Sequence, residues 1–296
     1  MKQGRGDEET VKSFTTDRAF AVALEAAIQA TQLCLKYWNN ARNDLFDPTM
    51  INDLFEKDGI GNYATMADKR SENLIVDLIR EETVLHDHSI LSEESDAVSG
   101  FEDWLWVIDP IDGTLTFNNG LPEFGICIGL LKKKEPVLGV IAIPVERKII
   151  TAQKGQGVHI YSMERKVVAA IESEDGSQPI RMDRALVAYD LGYQHRSEQM
   201  ATISRLSDKV GYLICYGSAA VACSRLAEGS LAAYLHLTPT KFDIAAASAI
   251  IQELGGVVTD IHGKPLDWRA NNLTFLAARN TDIHRKLLEA ISMSWE

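Results

Sequence analysis

Trp104-Leu105-Trp106-Val107-Ile108-Asp109-Pro110-Ile111-Asp112-Gly113-Thr114 is an apolar run that delivers two aspartates, three residues apart, onto a turn. The unbroken apolar segment Trp104 to Ile108 predicts a strand. Pro110 stiffens the turn and Gly113 opens it, so the two carboxylates can converge on one hard cation, with the Ile111 carbonyl as a further oxygen ligand. Oxygen-only ligation points to magnesium or manganese. An Asp-x-x-Asp-Gly turn by itself is most often a solvated, self-capping loop. Here Ser92-Glu93-Glu94-Ser95 stands upstream, and Phe242-Asp243 with Gly255-Gly256 stands far downstream, a combination that reads as a site.

Outward from this stretch, the first half reads as helices on a largely antiparallel sheet. Phe20, Val22, Leu24, Ala27, Ala30, Leu33 and Tyr37 recur at helical spacing and predict a long helix from Arg18 to Trp38. A second helix is expected over Thr65 to Glu82, with Thr65 and Asp68 as a capping pair at its start. Ile90-Leu91, Phe124 to Leu131, Val137 to Ile143 and Lys148 to Ala152 read as further strands, with a hairpin turn at Lys132 to Pro136. Past Met163 strand and helix alternate, which predicts an α/β second half. The expected division is a loose tail at 1–17, a helix-plus-sheet half at 18–162 carrying most of the candidate ligands, and an α/β half at 163–296 carrying Asp243.

The composition is that of a globular protein, 46% hydrophobic and 24% charged. A net charge of -12 makes nucleic acid an unfavoured partner, although cations held between carboxylates and a substrate still allow an anionic ester to bind. Cys34, Cys127, Cys215 and Cys223 form no Cys-x-x-Cys pair, which suits a reducing compartment. The polar start, Met1 to Thr10, does not read as a secretory signal, and no apolar run approaches the ~20 residues that span a bilayer. A cytoplasmic protein without a membrane partner is expected.

Asp109-Pro110-Ile111-Asp112-Gly113-Thr114 after Glu93-Glu94-Ser95, with Lys241-Phe242-Asp243-Ile244-Ala245-Ala246 before Glu253-Leu254-Gly255-Gly256, resembles the paired signatures of the inositol monophosphatase family. The resemblance implies a layered αβαβα sandwich and magnesium-dependent hydrolysis of a small phosphate monoester. It implies Glu93, Asp109, Asp112, Asp243 and the Ile111 carbonyl as metal ligands, for two or three magnesium ions that manganese can replace. Asp68 and Thr114 match the pair that activates water, with Glu93 also in the catalytic set. The Gly113 and Thr114 amides match the seat of the phosphate, and Ser218, Ala219, His236 and Asp243 match positions around the substrate. A homodimer and inhibition by lithium are implied as well.

The sequence departs from the inositol-specific pattern at His236, where a Glu stands seven residues before the second-signature Asp. Leu237-Thr238-Pro239-Thr240-Lys241-Phe242-Asp243 resembles instead a run of the 3'-phosphoadenosine 5'-phosphate phosphatases. That enzyme class, histidinol phosphatase and fructose-1,6-bisphosphatase are the alternatives within the superfamily, and a regulatory binding protein that keeps the fold is the alternative outside it. Pro110 and Ile111 exclude an EF-hand calcium loop. His86 and His88 lack the cysteine partners of a zinc site and read as surface residues. Ser218 doubles as a preferred helix cap.

Overall fold

The computed structural model describes residues 15–43, 55–56, 63–64, 66–83, 88–94, 103–173, 180–192 and 195–292. The chain opens with α1 (Thr16–Asn43), a two-stranded ribbon of β1 (Phe55–Glu56) and β2 (Tyr63–Ala64), and α2 (Met66–Thr83). A seven-stranded sheet follows: β3 (His88–Ser92), β4 (Trp104–Asp112), β5 (Gly125–Lys132), β6 (Glu135–Ile143), β7 (Lys148–Gln153), β8 (Gly157–Ser162) and β9 (Val167–Ile171), with the short α3 (Thr114–Asn118) between β4 and β5. The second sheet takes β10 (Leu186–Asp190), then α4 (Arg196–Ser207), β11 (Tyr212–Ile214), α5 (Ala219–Ala227), β12 (Ala233–His236), α6 (Lys241–Glu253), β13 (Val257–Thr259) and β14 (Phe275–Ala278). The described chain ends in α7 (Thr281–Ser292).

Side-chain periodicity sorts these elements into five layers. On α1, Ala19, Ala23, Ala26, Ala27, Ala30, Cys34 and Trp38 are buried, a stripe of helical period. On β4, successive side chains alternate: Trp106 and Ile108 pack with α1 and α2, while Leu105 and Val107 face the middle layer of α5 and α6. β14 repeats the device, with Phe275 and Ala277 turned to the middle layer and Leu276 and Ala278 packed with Ile203 of α4 and Ile283 and Leu287 of α7. The order is helix pair, large sheet, helix pair, small sheet, helix pair, which is the expected αβαβα sandwich.

All neighbours in the large sheet are antiparallel except β3 and β4, which run parallel. The small sheet is mixed, ordered β11-β10-β12-β14-β13 with β10 parallel to both neighbours. Four strands, β1, β2, β8 and β9, escaped the sequence reading. β8 and β9 have no buried alternation, and β9 is exposed along nearly its whole length. The large sheet therefore runs past 162, and the change of sheet falls between Ile171 and Leu186. Helix α1 begins two residues earlier than expected and runs five further; Thr65 and residues 1–14 lie outside the described residues. Among the described residues no helix is long and apolar enough to cross a membrane.

The middle layer sits unusually close to the large sheet. Gly129 of β5 and Gly139 of β6 are directly paired across the strands and form a trough under α6. A Cβ on Gly139 would lie 2.2 Å from the Ala246 carbonyl oxygen, and one on Gly129 would lie 2.8 Å from the Ala245 Cβ. The alanines Ala245, Ala246, Ala247 and Ala249 complete the fit from the helix side. Because α6 carries Asp243, this contact sets the height of that carboxylate above the sheet. Gly139→Ala is expected to destabilise the protein by about 1–3 kcal/mol, as overpacked cores do. It should also weaken divalent-cation affinity, read by thermal melts and by calorimetric titration with magnesium; an unchanged affinity would show that α6 height does not matter.

Candidate active site

The large sheet carries the first two carboxylates out at the end of β4. Pairing with β5 slips between Asp109 and Asp112, a bulge that turns the strand end toward the middle layer. The Ile111 amide donates to Asp109 Oδ1 at 3.0 Å, and the Ser71 hydroxyl of α2 donates to the Pro110 carbonyl at 3.3 Å. Gly113 then takes φ +89, and a Cβ there would sit 2.8 Å from Thr116 Oγ1 and 2.9 Å from the Glu123 carbonyl oxygen. Only glycine makes this turn freely. The Thr114 hydroxyl donates back to the Ile111 carbonyl at 3.1 Å.

Asp112 is held by the start of α5. Its carboxylate accepts from the Ser218 hydroxyl, from the Ala219 amide at 3.2 Å and from the Ala220 amide at 2.7 Å. Ser218 Oγ accepts in turn from the Val221 amide at 3.2 Å, so one serine caps the helix and steadies the carboxylate. Asp243 stands in the first turn of α6, where the Thr240 amide donates to Oδ2 at 2.6 Å. One oxygen each from Asp109, Asp112 and Asp243 lies within 4.8 Å of the others. Glu93 follows β3 at the same end, its amide donating to the Ile108 carbonyl at 3.3 Å.

Electrostatics in this corner are one-sided. Burial and then the charge of Glu93 hold Asp109 well above the usual carboxylate range, with Asp112, Asp243 and Asp68 adding to the push. Asp112 is raised to about 7 by burial and by Asp243, against the lowering effect of its Ser218 and Ala220 hydrogen bonds. Asp243 is raised to about 7 by burial and by Glu93, against hydrogen bonds from Thr240 and Asp109. Among the described residues no Lys or Arg pairs with Asp109, Asp112 or Asp243. Cys127 and Cys223 lie close by, but burial and then Asp112 keep their pKa values well above 9, so they stay thiols. The donor set is oxygen alone, crowded and without counter-charge, and it fits a hard divalent cation.

Of the other sequence-derived residues, only some stand at this cluster. Asp68 is 2% exposed in the first turn of α2, close enough for its charge to act on Asp109. Ser218 and Ala219 are engaged with Asp112, as described. His236 ends β12, apart from the cluster, with Nδ1 3.4 Å from the Tyr234 hydroxyl; burial lowers it to about 4, so it is neutral at ordinary pH. His88 belongs to the fold: its Nδ1 accepts from Trp106 Nε1 at 3.1 Å and its ring stacks on Trp104. His86 lies outside the described residues.

Asp190 was not foreseen. This 6% exposed carboxylate accepts from the Gly217 amide at 2.8 Å, the Tyr234 hydroxyl at 3.0 Å and the Cys215 thiol at 3.1 Å. It thereby anchors the loop that ends in Ser218 and joins it to the strand ending in His236. A signal did exist, because Asp190 closes a strand that lies parallel to both neighbours, and the carboxyl ends of such strands are where α/β sheets place ligands.

The sequence profile described as "Inositol monophosphatase family" matches residues 16–296. The chain belongs to the inositol monophosphatase family. Among relatives, the Nus factor SuhB of Haemophilus influenzae is 28% identical over 263 residues, covering 87% of this chain and 91% of its own. The fructose-1,6-bisphosphatase/inositol-1-monophosphatase of Thermotoga maritima is 28% identical over 242 residues, covering 82% and 87%. The solved structure of an inositol monophosphatase from Anabaena (Nostoc) superposes with a TM-score of 0.76 at 26% identity, covering 94% of this chain and 96% of that one. Members of this family are phosphatases, and the acidic corner of this one stands where β4, α5 and α6 meet.

The raised pKa values fix a pH dependence. Below about pH 7 the folded, metal-free protein holds protons on Asp112 and Asp243 that an unfolded chain, with the ordinary value of 3.8, has already lost. The folded state binds more protons between those values, so its stability without metal falls as pH rises from about 4 to 7 and levels off above. Cations compete with the same protons, so their affinity rises over that interval. Magnesium at saturation is expected to raise Tm by about 5 °C or more at pH 8 and by much less at pH 5.5, against a chelator control. An equal gain at both pH values would place the stabilising cation elsewhere.

Proposed function

We propose that this protein hydrolyses a small phosphate monoester, an inositol monophosphate or a similar polyol or sugar phosphate, with magnesium held by Glu93, Asp109, Asp112, Asp243 and the Ile111 carbonyl. The observation that carries the reading is the convergence of Asp109, Asp112 and Asp243 with no basic partner among the described residues, beside a hydroxyl and a buried carboxylate that can handle a proton. Bound there, a divalent cation supplies charge to the phosphoryl oxygens and acidifies water.

The chain's own residues do the rest. Thr114 donates its proton to the Ile111 carbonyl, which leaves its lone pairs free to accept from the attacking water and orient it. Asp68, buried and within electrostatic reach of the cluster, receives the proton that the water gives up. The backbone of Gly113 and Thr114, held open by the positive φ, offers amide donors to the phosphate. Ser218 and the α5 amides keep Asp112 at one height while charge develops.

A second reading concerns the leaving group. His236 stands where inositol-specific members carry a Glu, and a neutral imidazole does not repel a second phosphate as a carboxylate would. Substrates with two phosphates, such as 3'-phosphoadenosine 5'-phosphate or fructose bisphosphate, are therefore compatible, and the Thermotoga relative's name includes a bisphosphatase activity. Histidinol phosphate completes the panel. The Haemophilus relative's name, Nus factor, favours asking whether a binding role accompanies catalysis.

Phosphate release from inositol, sugar, nucleotide and histidinol esters, with magnesium and with chelator, tests both readings. Turnover should vanish with chelator and fall at least about 10²-fold in Asp109→Asn. Thr114→Ala and Asp68→Asn should each lose about 10²–10⁴-fold in kcat. Efficient turnover of a nucleotide bisphosphate alone would replace the polyol reading. An absence of turnover on every ester, in a protein that still binds magnesium, would leave the binding role.

A further inference from the structure

The opposite end of the large sheet holds a cavity of about 420 Å³ with no part in the site above. β4 starts there: Trp104 pairs with Lys132, whereas Asp112 pairs with Gly125 at the other end, about 26 Å away along an extended strand. The cavity lies between the β5–β6 hairpin, the last turn of α6 and the segment after β13. Val137, Val258, Leu266 and Trp268 form its apolar wall, with Gln252 and Lys134 at the rim. Its size is in the range of small-molecule sites.

Its polar groups are unbalanced in a definite direction. The two carboxylates on the lining are already engaged: Glu135 pairs with Lys154 at 2.8 Å, and Glu253 accepts from the Gly157 and Gly155 amides at 2.8 and 3.0 Å. The Trp268 ring is buried, while its indole N–H is open to solvent and has no acceptor among the described residues. Lys134 is exposed and has no carboxylate partner among them either. The groups left over are thus a solvent-accessible N–H donor and a cation, set against an apolar wall.

The hairpin itself departs from the easiest solution. Lys132 pairs with Glu135, which leaves Lys133 and Lys134 as a two-residue loop with φ of +50 and +69. Asn-Gly fills such a loop without strain, and lysines do not. The chain holds an unfavourable backbone at the point that brings a lysine to the rim.

We propose that this cavity is a second ligand site, taking a small organic anion with a flat apolar body and one acidic group. The apolar body lies against Val137, Val258 and Leu266, an acceptor atom meets the Trp268 N–H, and the acidic group faces Lys134.

Anilinonaphthalene sulfonate has this chemistry and reports binding by fluorescence, and phenylnaphthylamine offers similar rings without the charge. Titrated into the full chain, the sulfonate should show one saturable site and the uncharged compound much weaker binding. Lys134→Glu, in an exposed turn, should weaken the sulfonate about tenfold. Trp268→Phe, which keeps a ring but removes the donor, should weaken it several-fold with circular dichroism unchanged. Asp109→Asn and added chelator should leave it unaltered. The proposal fails if Lys134→Glu binds the sulfonate as tightly as the original chain, if both compounds bind alike, or if no saturable site is found.

Discussion

Asp109, Asp112 and Asp243 repel one another inside a largely apolar corner, and the architecture around them is arranged to hold them there. Carboxylates removed from water, with oxygens within 4.8 Å of one another, are held from being all charged at once unless a cation joins them. Among the described residues no basic side chain meets that demand, and backbone geometry keeps the carboxylates in place. A strand bulge fixes Asp109 and Asp112, and a first helical turn fixes Asp243.

The middle helix layer is what lets such a corner exist. α5 and α6 both point their amino-terminal ends at the cluster, where unsatisfied amides favour negative charge. On α5 this is literal, since the Ala219 and Ala220 amides bond Asp112. On α6 the fit against paired glycines brings the helix close enough for Asp243 to reach ligands from the other sheet. Asp190 extends the same scheme into the small sheet by tying the loop before Ser218 to the strands β10 and β12. Position in the acidic corner thus depends on both sheets at once.

How much of this was legible in the chain follows from the range of the interactions. β4 stood out because it is buried on both faces and reads as a continuous apolar run, and the ligand residues on it and on α6 lie in short, dense motifs. The helices of the first outer layer, α1 and α2, were visible from their periodic stripes. β8 and β9 were not, because their side chains are mostly half-buried or exposed and leave no alternation to read. Asp190 was hidden for another reason: its partners Cys215, Gly217 and Tyr234 lie 25, 27 and 44 residues away, and nothing local marks them. The hydrogen bonds that Ser218 and the α5 amides make to Asp112 were likewise out of reach, although the cap itself was legible.

The separation between Asp112 and its caps has a consequence for how the protein is made. Ser218 follows Asp112 by 106 residues, and Asp243 follows later still. On the ribosome, β4 emerges with its aspartates while neither the helix that steadies one nor the helix that completes the cluster has been synthesised. A chain that stops before α6 lacks Asp243, and with it one of the three carboxylates that converge in this corner. The cluster is therefore a property of the assembled chain, and no single segment carries it.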